Sequence, residues 1–217
     1  MHRGIALSVG LVAIFALAGC APAVTSGTPS PTHTTAESEP TPTPVAPPEL
    51  SDLVITPDGL GALAIGSPVP DQSSGSALVT WNATKCGATG AWVPNYPDSL
   101  GLDQVSDVPF VVGTTSKSDP VKFIRVASID IHSAKGIHIG STAAELTAAY
   151  PTFDHTVDEG LVVLYSINGA NSQLVFEFAK QGSIPADDGT VVQIEAESGT
   201  GTPVGAAGTD GFGYCPQ

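Results

Sequence analysis

The sequence predicts an α+β domain built mainly of antiparallel sheet with short helices, and three observations support this class. Segments 161–167, 173–179 and 191–197 alternate apolar and polar residues with the period of two that half-buried strands require. The 217 residues include 24 Gly and 19 Pro, and only 13% are charged, a composition that favours strands and turns over long helices. One clear helix signal lies between residues 142 and 151.

This helix signal begins with a capping box, because Thr142 is followed three residues later by Glu145. Leu146 and Tyr150 lie four residues apart and share one helical face, which predicts that the helix packs on the sheet. Pro151 then ends the helix. We expect a helix of about two turns that is stable only through packing.

The strand segments near the C-terminus predict a meander. Asn168-Gly169 separates the first two segments and is a strong signal for a β-hairpin. Glu177, Glu195 and Glu197 fall on the predicted polar face of these strands. We therefore expect an antiparallel sheet with one buried face and one solvated, acidic face.

A short internal match points to repetition within the domain. Leu63-Ala-Ile-Gly-Ser67 matches Ile137-His-Ile-Gly-Ser141 at an offset of 74 residues. The match predicts two tandem pseudo-repeats, with candidate bounds 55–130 and 131–200. A match of five residues also arises by chance, and this alternative stays open.

The first 19 residues have the features of an export signal. Arg3 precedes an apolar run over residues 5–18, and these 14 residues are fewer than the roughly 20 that a spanning helix needs. The run ends in Leu17-Ala-Gly-Cys20, which resembles the lipobox of bacterial, actinobacterial-type lipoproteins. The resemblance implies cleavage before Cys20, a diacylglycerol on its sulfur and a location on the extracytoplasmic face of the cell membrane. The alternative is an ordinary signal peptide that happens to precede a cysteine.

Residues 20–49 are predicted to join the lipidated Cys20 to the folded domain as a disordered linker. Residues 21–49 contain eight Pro, seven Thr and three Ser, so this segment buries too little apolar surface to offset its ordering entropy. At about 3.1 Å per residue, the linker reaches roughly 90 Å when extended. Residues 50–217 form the predicted extracytoplasmic domain.

The other two cysteines are predicted to form a disulfide. An exported chain enters an oxidising compartment, where Cys86 and Cys215 are most simply paired. The closed loop would span 129 residues, and the chain-entropy treatment gives about 5 kcal/mol for a loop of this length. We expect this bond to tie the C-terminal tail to the turn around Cys86.

The segment Gly136-Ile-His-Ile-Gly-Ser-Thr-Ala-Ala-Glu-Leu-Thr-Ala-Ala-Tyr-Pro151, with the meander after it, carries a second resemblance. It resembles the small α/β repeat of outer-membrane-assembly lipoproteins, which occurs in tandem in secreted β-lactamase inhibitory proteins. The resemblance covers residues 136–197 and implies a short helix on a small antiparallel sheet. It also implies an inhibitor-like role as one alternative function.

Composition and motifs exclude several classes of function. With 7 Lys+Arg against 21 Asp+Glu, the chain cannot neutralise a run of phosphates, and we expect no nucleic-acid partner. The sequence contains no HExxH motif, Cys/His cluster or EF-hand loop, so we expect neither a metal nor a cofactor. It also contains no Gly-x-Ser-x-Gly elbow and no Ser-x-x-Lys pair, and no catalytic residue is assigned.

Aromatic residues in a long irregular stretch, residues 87–110, are the candidate binding surface. Trp92, Tyr96 and Phe110 lie there among Gly, Pro, Asp and Asn, and aromatic side chains are over-represented in recognition hot spots. The alternative is that these rings complete the core beneath the loop. We expect a non-enzymatic module that binds an envelope protein or a cell-wall ligand, and an envelope hydrolase with unidentified site residues is a further alternative.

The lipobox makes a prediction about membrane association. Cys20→Ala removes the acylation site, and acylation is the main membrane-binding contribution that we expect in the processed chain. The variant should therefore leave the membrane fraction, whereas wild-type protein should stay in it after a carbonate wash. A variant that sediments with membranes as fully as the wild type would contradict the lipoprotein assignment.

Overall fold

The computed structural model describes residues 46–70, 77–86, 89–96, 108–182 and 189–203. All of them belong to one compact unit, Pro42–Gln217. The predicted signal peptide, Cys20, most of the linker and Cys215 lie outside the described residues.

Strands make up most of the regular secondary structure in the described residues. The strands are β1 Val54–Thr56, β2 Gly59–Leu60, β3 Leu63–Ala64, β4 Val79–Asn82, β5 Ala91–Pro94, β6 Phe110–Gly113, β7 Phe123–Val126, β8 His132–Ser133, β9 His155–Asp158, β10 Val162–Asn168, β11 Ser172–Ala179 and β12 Val191–Ser198. A single 3₁₀ turn, Leu50–Asp52, and a single α-helix, α1 Ala143–Ala149, complete the elements of the described residues. The prediction of an antiparallel sheet with short helices is confirmed in part, whereas the α+β class is not well supported, because the described residues contain one seven-residue helix against twelve strands and are mostly β.

The larger sheet has eight strands in the order β4-β5-β6-β7-β12-β11-β10-β9, and every neighbouring pair is antiparallel. Strands β4 to β7 form one four-stranded meander and β9 to β12 form another. The last strand of each meander pairs with the last strand of the other, so the order reads symmetrically from either edge.

The seam between the two meanders is the pairing of β7 with β12. Ile124 pairs with Ala196 and Val126 pairs with Ile194, and these apolar side chains lie in the core. Between them Arg125 pairs with Glu195 on the opposite face, where Arg125 Nε donates to Glu195 Oε2 at 2.7 Å. We call the core side of this sheet the inner face and the Arg125 side the outer face.

A smaller four-stranded sheet, in the order β3-β2-β1-β8, contributes to the same core. Strand β1 is central, antiparallel to β2 and parallel to β8. Ile55 of β1 is fully buried, as are Leu60 and Ile131 beside it. Leu146 of α1 and Tyr150, the residue directly after the helix, also belong to this core.

The sequence signals in the second half of the chain are confirmed in detail. Thr142 and Glu145 form the predicted capping box, with Glu145 N donating to Thr142 Oγ1 and Thr142 N donating to Glu145 Oε2. The hairpin at Asn168-Gly169 joins β10 to β11, and Gly169 N donates to Ser172 O at 2.7 Å. The three predicted strands correspond to β10, β11 and β12.

The prediction of a solvated acidic face is wrong. Glu177 is only 2% exposed, and the side chains of Arg125 and Glu195 are 11% and 12% exposed. Two hydrogen-bonded pairs support the burial on this face: Arg125 with Glu195, and Gln173 Nε2 donating to Glu197 Oε1 at 2.7 Å. An apolar cluster on the same face, formed by Val162, Leu164 and Val175 with Val157, extends the burial.

The stretch at 87–110 is also less irregular than predicted, because residues 91–94 form β5. Trp92 on this strand is 5% exposed and Phe110 on β6 is fully buried, so both rings belong to the core. The Trp92 ring meets the Trp81 ring edge-to-face at a centroid distance of 5.3 Å.

We therefore expect Trp92→Ala to act on folding. Truncating a buried Trp leaves a cavity and should lower the free energy of unfolding by about 3–5 kcal/mol, measured by urea denaturation. Ile129→Ala is the matched control, since Ile129 is 67% exposed and its truncation should change stability little. Equal, small effects of both variants would show that Trp92 does not support the core.

Candidate functional site

A cleft of about 330 Å³ opens where the small sheet, the C-terminal end of α1 and the β10–β11 hairpin meet. Its lining is formed by Ile55, Thr56, Pro57, Ala134, Lys135, Tyr150, Pro151, Thr152, Ile167 and Leu174. Most of these side chains are apolar, and Lys135 supplies the positive charge. A concave, mostly apolar surface with a few polar groups is typical of ligand-binding sites.

The floor of the cleft comes from the inner face of the larger sheet. Ile167 of β10 and Leu174 of β11 are directly paired across the hairpin, and both contribute to the core cluster. One wall comes from β1, where Ile55 is held between β2 and β8 by backbone pairing on both sides. These surfaces are therefore built from paired strands.

Tyr150 is placed at the cleft by the end of α1. Its backbone N–H donates to Leu146 O at 2.9 Å as the last helical bond, and Pro151 prevents the helix from continuing. The ring packs against Phe176 with a centroid distance of 5.2 Å. Tyr150 is only 6% exposed, so the helix end and the sheet together fix the ring.

Lys135 is placed by a tight turn after β8. Ser133 N donates to Ile137 O at 2.8 Å, and Ile137 N donates to Ser133 Oγ at 3.1 Å, which closes the turn from both sides. Gly136 supplies the left-handed backbone conformation, φ +83°, that the turn requires. The Lys135 ammonium then lies over the Tyr150 ring, with Nζ 4.5 Å from its centroid.

This arrangement suits a ligand that has an apolar body and an acidic group. The cation–π contact holds the Lys135 ammonium beside the apolar floor. Lys135 is exposed, so its charge is available to a ligand from solvent. Thr56, another polar residue of the lining, bonds within the wall of the cleft, where its Oγ1 donates to Gly59 O at 3.3 Å.

The aromatic residues predicted as a binding surface do not form one. Trp92 and Phe110 are buried, and Tyr96 is half-buried with its hydroxyl donating to Pro48 O at 2.9 Å. Partial burial, followed by the charge of Glu49, raises the pKa of Tyr96. Their placement agrees with the alternative, in which these rings complete the core.

Of the predicted modification sites, only Cys86 falls among the described residues. Cys86 is a disulfide-bonded cysteine with φ +58°. Both other cysteines, Cys20 and Cys215, lie outside the described residues, so the pairing of Cys86 with Cys215 stays a prediction.

The cleft residues were missed at the sequence level, although two signals were present. Gly136 after Lys135 marks a turn and Pro151 after Tyr150 marks a helix end, but neither indicates that the two residues meet. Their contact depends on the tertiary arrangement that brings the end of α1 to the turn after β8, which a local pattern does not encode.

Two absences hold for the described part of the chain. No helix there has the length and apolar composition needed to cross a membrane. Within the same residues, no group of three or more His, Cys, Asp or Glu side chains is arranged to hold a metal ion.

The outer face makes a pH-dependent prediction. Burial, followed by the charge of Glu195, raises the pKa of Glu197. Burial also raises the pKa of Glu195, although Arg125 acts in the opposite direction. A carboxyl group with a raised pKa binds its proton more tightly in the folded state, so its contribution to the free energy of unfolding decreases as pH rises through that pKa.

Glu197→Gln should therefore stabilise the protein at pH 7 relative to wild type, with a smaller gain at pH 4, measured as thermal midpoints. Glu145→Gln is the control of opposite sign, because hydrogen bonds from Thr142 lower the pKa of Glu145. That variant should destabilise at pH 7, with the effect disappearing as pH falls. A Glu197→Gln variant that is destabilised equally at both pH values would contradict a raised pKa of Glu197.

Comparison with known proteins gives little further information. No protein-family model matches this chain, and no curated protein matches it. Among solved structures, a DUF4309 family protein, YjgB, from Bacillus subtilis is similar with a TM-score of 0.27 and 12% identity, over 62% of this chain and 72% of that chain. A similarity at this TM-score carries no argument about fold or function.

Proposed function

We propose that this chain is a bacterial lipoprotein, anchored through Cys20 to the extracytoplasmic face of the cell membrane, whose folded domain is a non-enzymatic binding module. The Leu17-Ala-Gly-Cys20 box after an apolar run of export-signal length supports the anchor. The Pro/Thr-rich linker before the domain supports a tethered module that reaches away from the bilayer.

The observation that carries the binding function is the cleft beside Lys135. It combines the apolar pair Ile167 and Leu174, the ring of Tyr150 and one exposed ammonium in about 330 Å³. This chemistry fits an envelope ligand, either a protein segment or a cell-wall component, that has an apolar body next to an acidic group.

We also propose that the two halves of the domain are tandem copies of one module. The two Gly-Ser turns support this, since each makes the same two backbone hydrogen bonds to a valine, which begins β12 in the second half and lies two residues before β7 in the first. Gly66 N donates to Val121 O and Val121 N to Ser67 O, while Gly140 N donates to Val191 O and Val191 N to Ser141 O. The symmetric strand order of the larger sheet supports the same conclusion.

The binding proposal is tested with an amphipathic anion, 8-anilinonaphthalene-1-sulfonate, whose fluorescence rises in apolar sites. The protein is the chain from residue 20 onward with Cys20→Ala, which prevents acylation. We expect saturable binding that Lys135→Ala weakens about tenfold, since a charge-assisted hydrogen bond contributes about 1.5 kcal/mol or more. Lys135→Arg should retain binding.

Lys117→Ala is the matched control for loss of charge, because Lys117 is exposed and lies in the β6–β7 connection. It should leave the affinity unchanged. Absence of saturable binding, or equal weakening by Lys117→Ala and Lys135→Ala, would contradict the cleft as the site.

A further inference from the structure

Apolar side chains on the outer face of the larger sheet are buried, although the described layer that covers this sheet is on the other side. Val111 pairs with Arg125 and therefore lies on the outer face. Val93 lies there too, because alternation places it opposite the core residue Trp92. Both valines are buried, and neither belongs to a hydrophobic cluster of the described residues. Since the small sheet and α1 pack on the inner face, the cover of these valines comes from another part of the chain.

The chain that follows β12 is held on this outer face at the β9 edge of the sheet. His155 of β9 pairs with Ser166, which pairs with Val175, and Val175 pairs with Glu195 of the outer face. The His155 side chain therefore points to the same face. Its Nε2 lies within hydrogen-bond distance of Thr200 O, at 3.1 Å. The chain thus leaves β12 on the outer side, beside an edge strand.

A disulfide-bonded cysteine lies at the opposite edge of the sheet. Cys86 follows the edge strand β4, which ends at Asn82. Since Cys20 is the proposed lipidation site, Cys215 is the remaining cysteine that can pair with it. Neighbouring strands from β4 to β12 alternate in direction, so β4 and β12 end at the same end of the sheet. With this pairing, the segment between Thr200 and Cys215 runs from one edge of the sheet to the other.

The length of this segment fits a crossing of the outer face. Eight strands that lie about 4.8 Å apart form a sheet roughly 34 Å wide. Thr200 and Cys215 are 15 residues apart, and this segment reaches about 50 Å at roughly 3.3 Å per residue. On the inner face, the small sheet and α1 occupy the space that a crossing needs. The direct route is therefore across the outer face.

We propose that residues 204–215 lie across the outer face as its covering layer and are fixed at the β4 edge by a disulfide between Cys86 and Cys215. Four of these twelve residues are Gly, which lets a backbone approach the sheet closely. Their N–H groups are donors for the carboxylates of this face. The cleft beside Lys135 is on the other side of the sheet and has no part in this cover.

The disulfide also sets which part of the segment covers the two valines. Phe212 precedes Cys215 by three residues, which is about 10 Å in an extended chain, or two strand spacings. Counted from β4, two spacings lead to β6. Phe212 is therefore placed over Val93 of β5 and Val111 of β6.

The arrangement is tested in the chain from residue 20 onward with Cys20→Ala and ¹³C-labelled methyl groups. Peptide mapping without reduction should give a fragment pair joined through Cys86 and Cys215. In NMR spectra, the ring protons of Phe212 should show nuclear Overhauser effects to the methyl groups of Val93 and Val111. A free thiol on Cys215, or Overhauser effects from Phe212 to the inner-face residue Ile124 instead, would overturn the proposal.

A chain that ends at Pro203 tests the cover directly. A soluble gadolinium chelate broadens the signals of methyl groups that solvent reaches. Truncation should make the signals of Val93 and Val111 as sensitive as those of Leu161, which is 57% exposed, whereas buried Ile124 should stay protected. If both valines stay protected in a folded truncated chain, another segment covers them and the proposal is wrong.

Phe212→Ala in the full-length chain provides the same readout if the truncated chain does not fold. Loss of the ring should increase the broadening of the Val93 and Val111 signals and leave that of Ile124 unchanged. Broadening of both valine signals that equals that of the wild type would overturn the placement of Phe212 and, with it, the covering layer.

Discussion

The pairing of β7 with β12 is the interaction on which the rest of the architecture depends. It joins two four-stranded meanders into one sheet and continues a single apolar layer across the seam through Ile124, Val126 and Ile194. On the other face, the buried ion pair between Arg125 and Glu195 marks the register. Loss of one partner would leave a buried charge uncompensated, which costs more than an intact pair contributes. A slip by one residue would place these charges in the core and the apolar side chains on the outer face.

The cleft follows from how the second half is built on this seam. A short helix with a strong N-terminal cap delivers Tyr150 to the inner face, and a four-residue turn delivers Lys135 above it. The first half has Pro68 and Pro70 after its Gly-Ser turn, where the second half begins its helix. The two halves of the inner face therefore carry different elements. The first half has two prolines after its Gly-Ser turn, and the second half has a helix end beside a cleft.

Local signals predicted the parts of this fold that local physics determines. The capping box at Thr142 and Glu145, the Asn168-Gly169 hairpin and the alternating strands are all encoded within a few residues. The predictions that were wrong concern features that depend on residues distant in sequence. Alternation correctly predicted that Glu195 and Glu197 lie on the outer face. It did not predict which side chains from other strands bury them. Turn-forming composition concealed β5, whose partners β4 and β6 stabilise it. The cleft could not be predicted from local patterns for the same reason, since it combines residues from β1, the end of α1 and the β10–β11 hairpin.

The central position of β1 has a consequence for the order of events in folding. Val54 pairs with His132, a separation of 78 residues, whereas the antiparallel partner of β1 follows it directly. As the chain emerges N-terminus first, β1 and β2 can form their hairpin early, but the parallel edge of β1 stays unsatisfied until β8 arrives. Closing a loop of this length carries an entropic cost before any contact offsets it, and contacts between distant residues slow folding. An emerging chain therefore exposes one strand edge for an extended period, and exposed edges are sites of association with other chains.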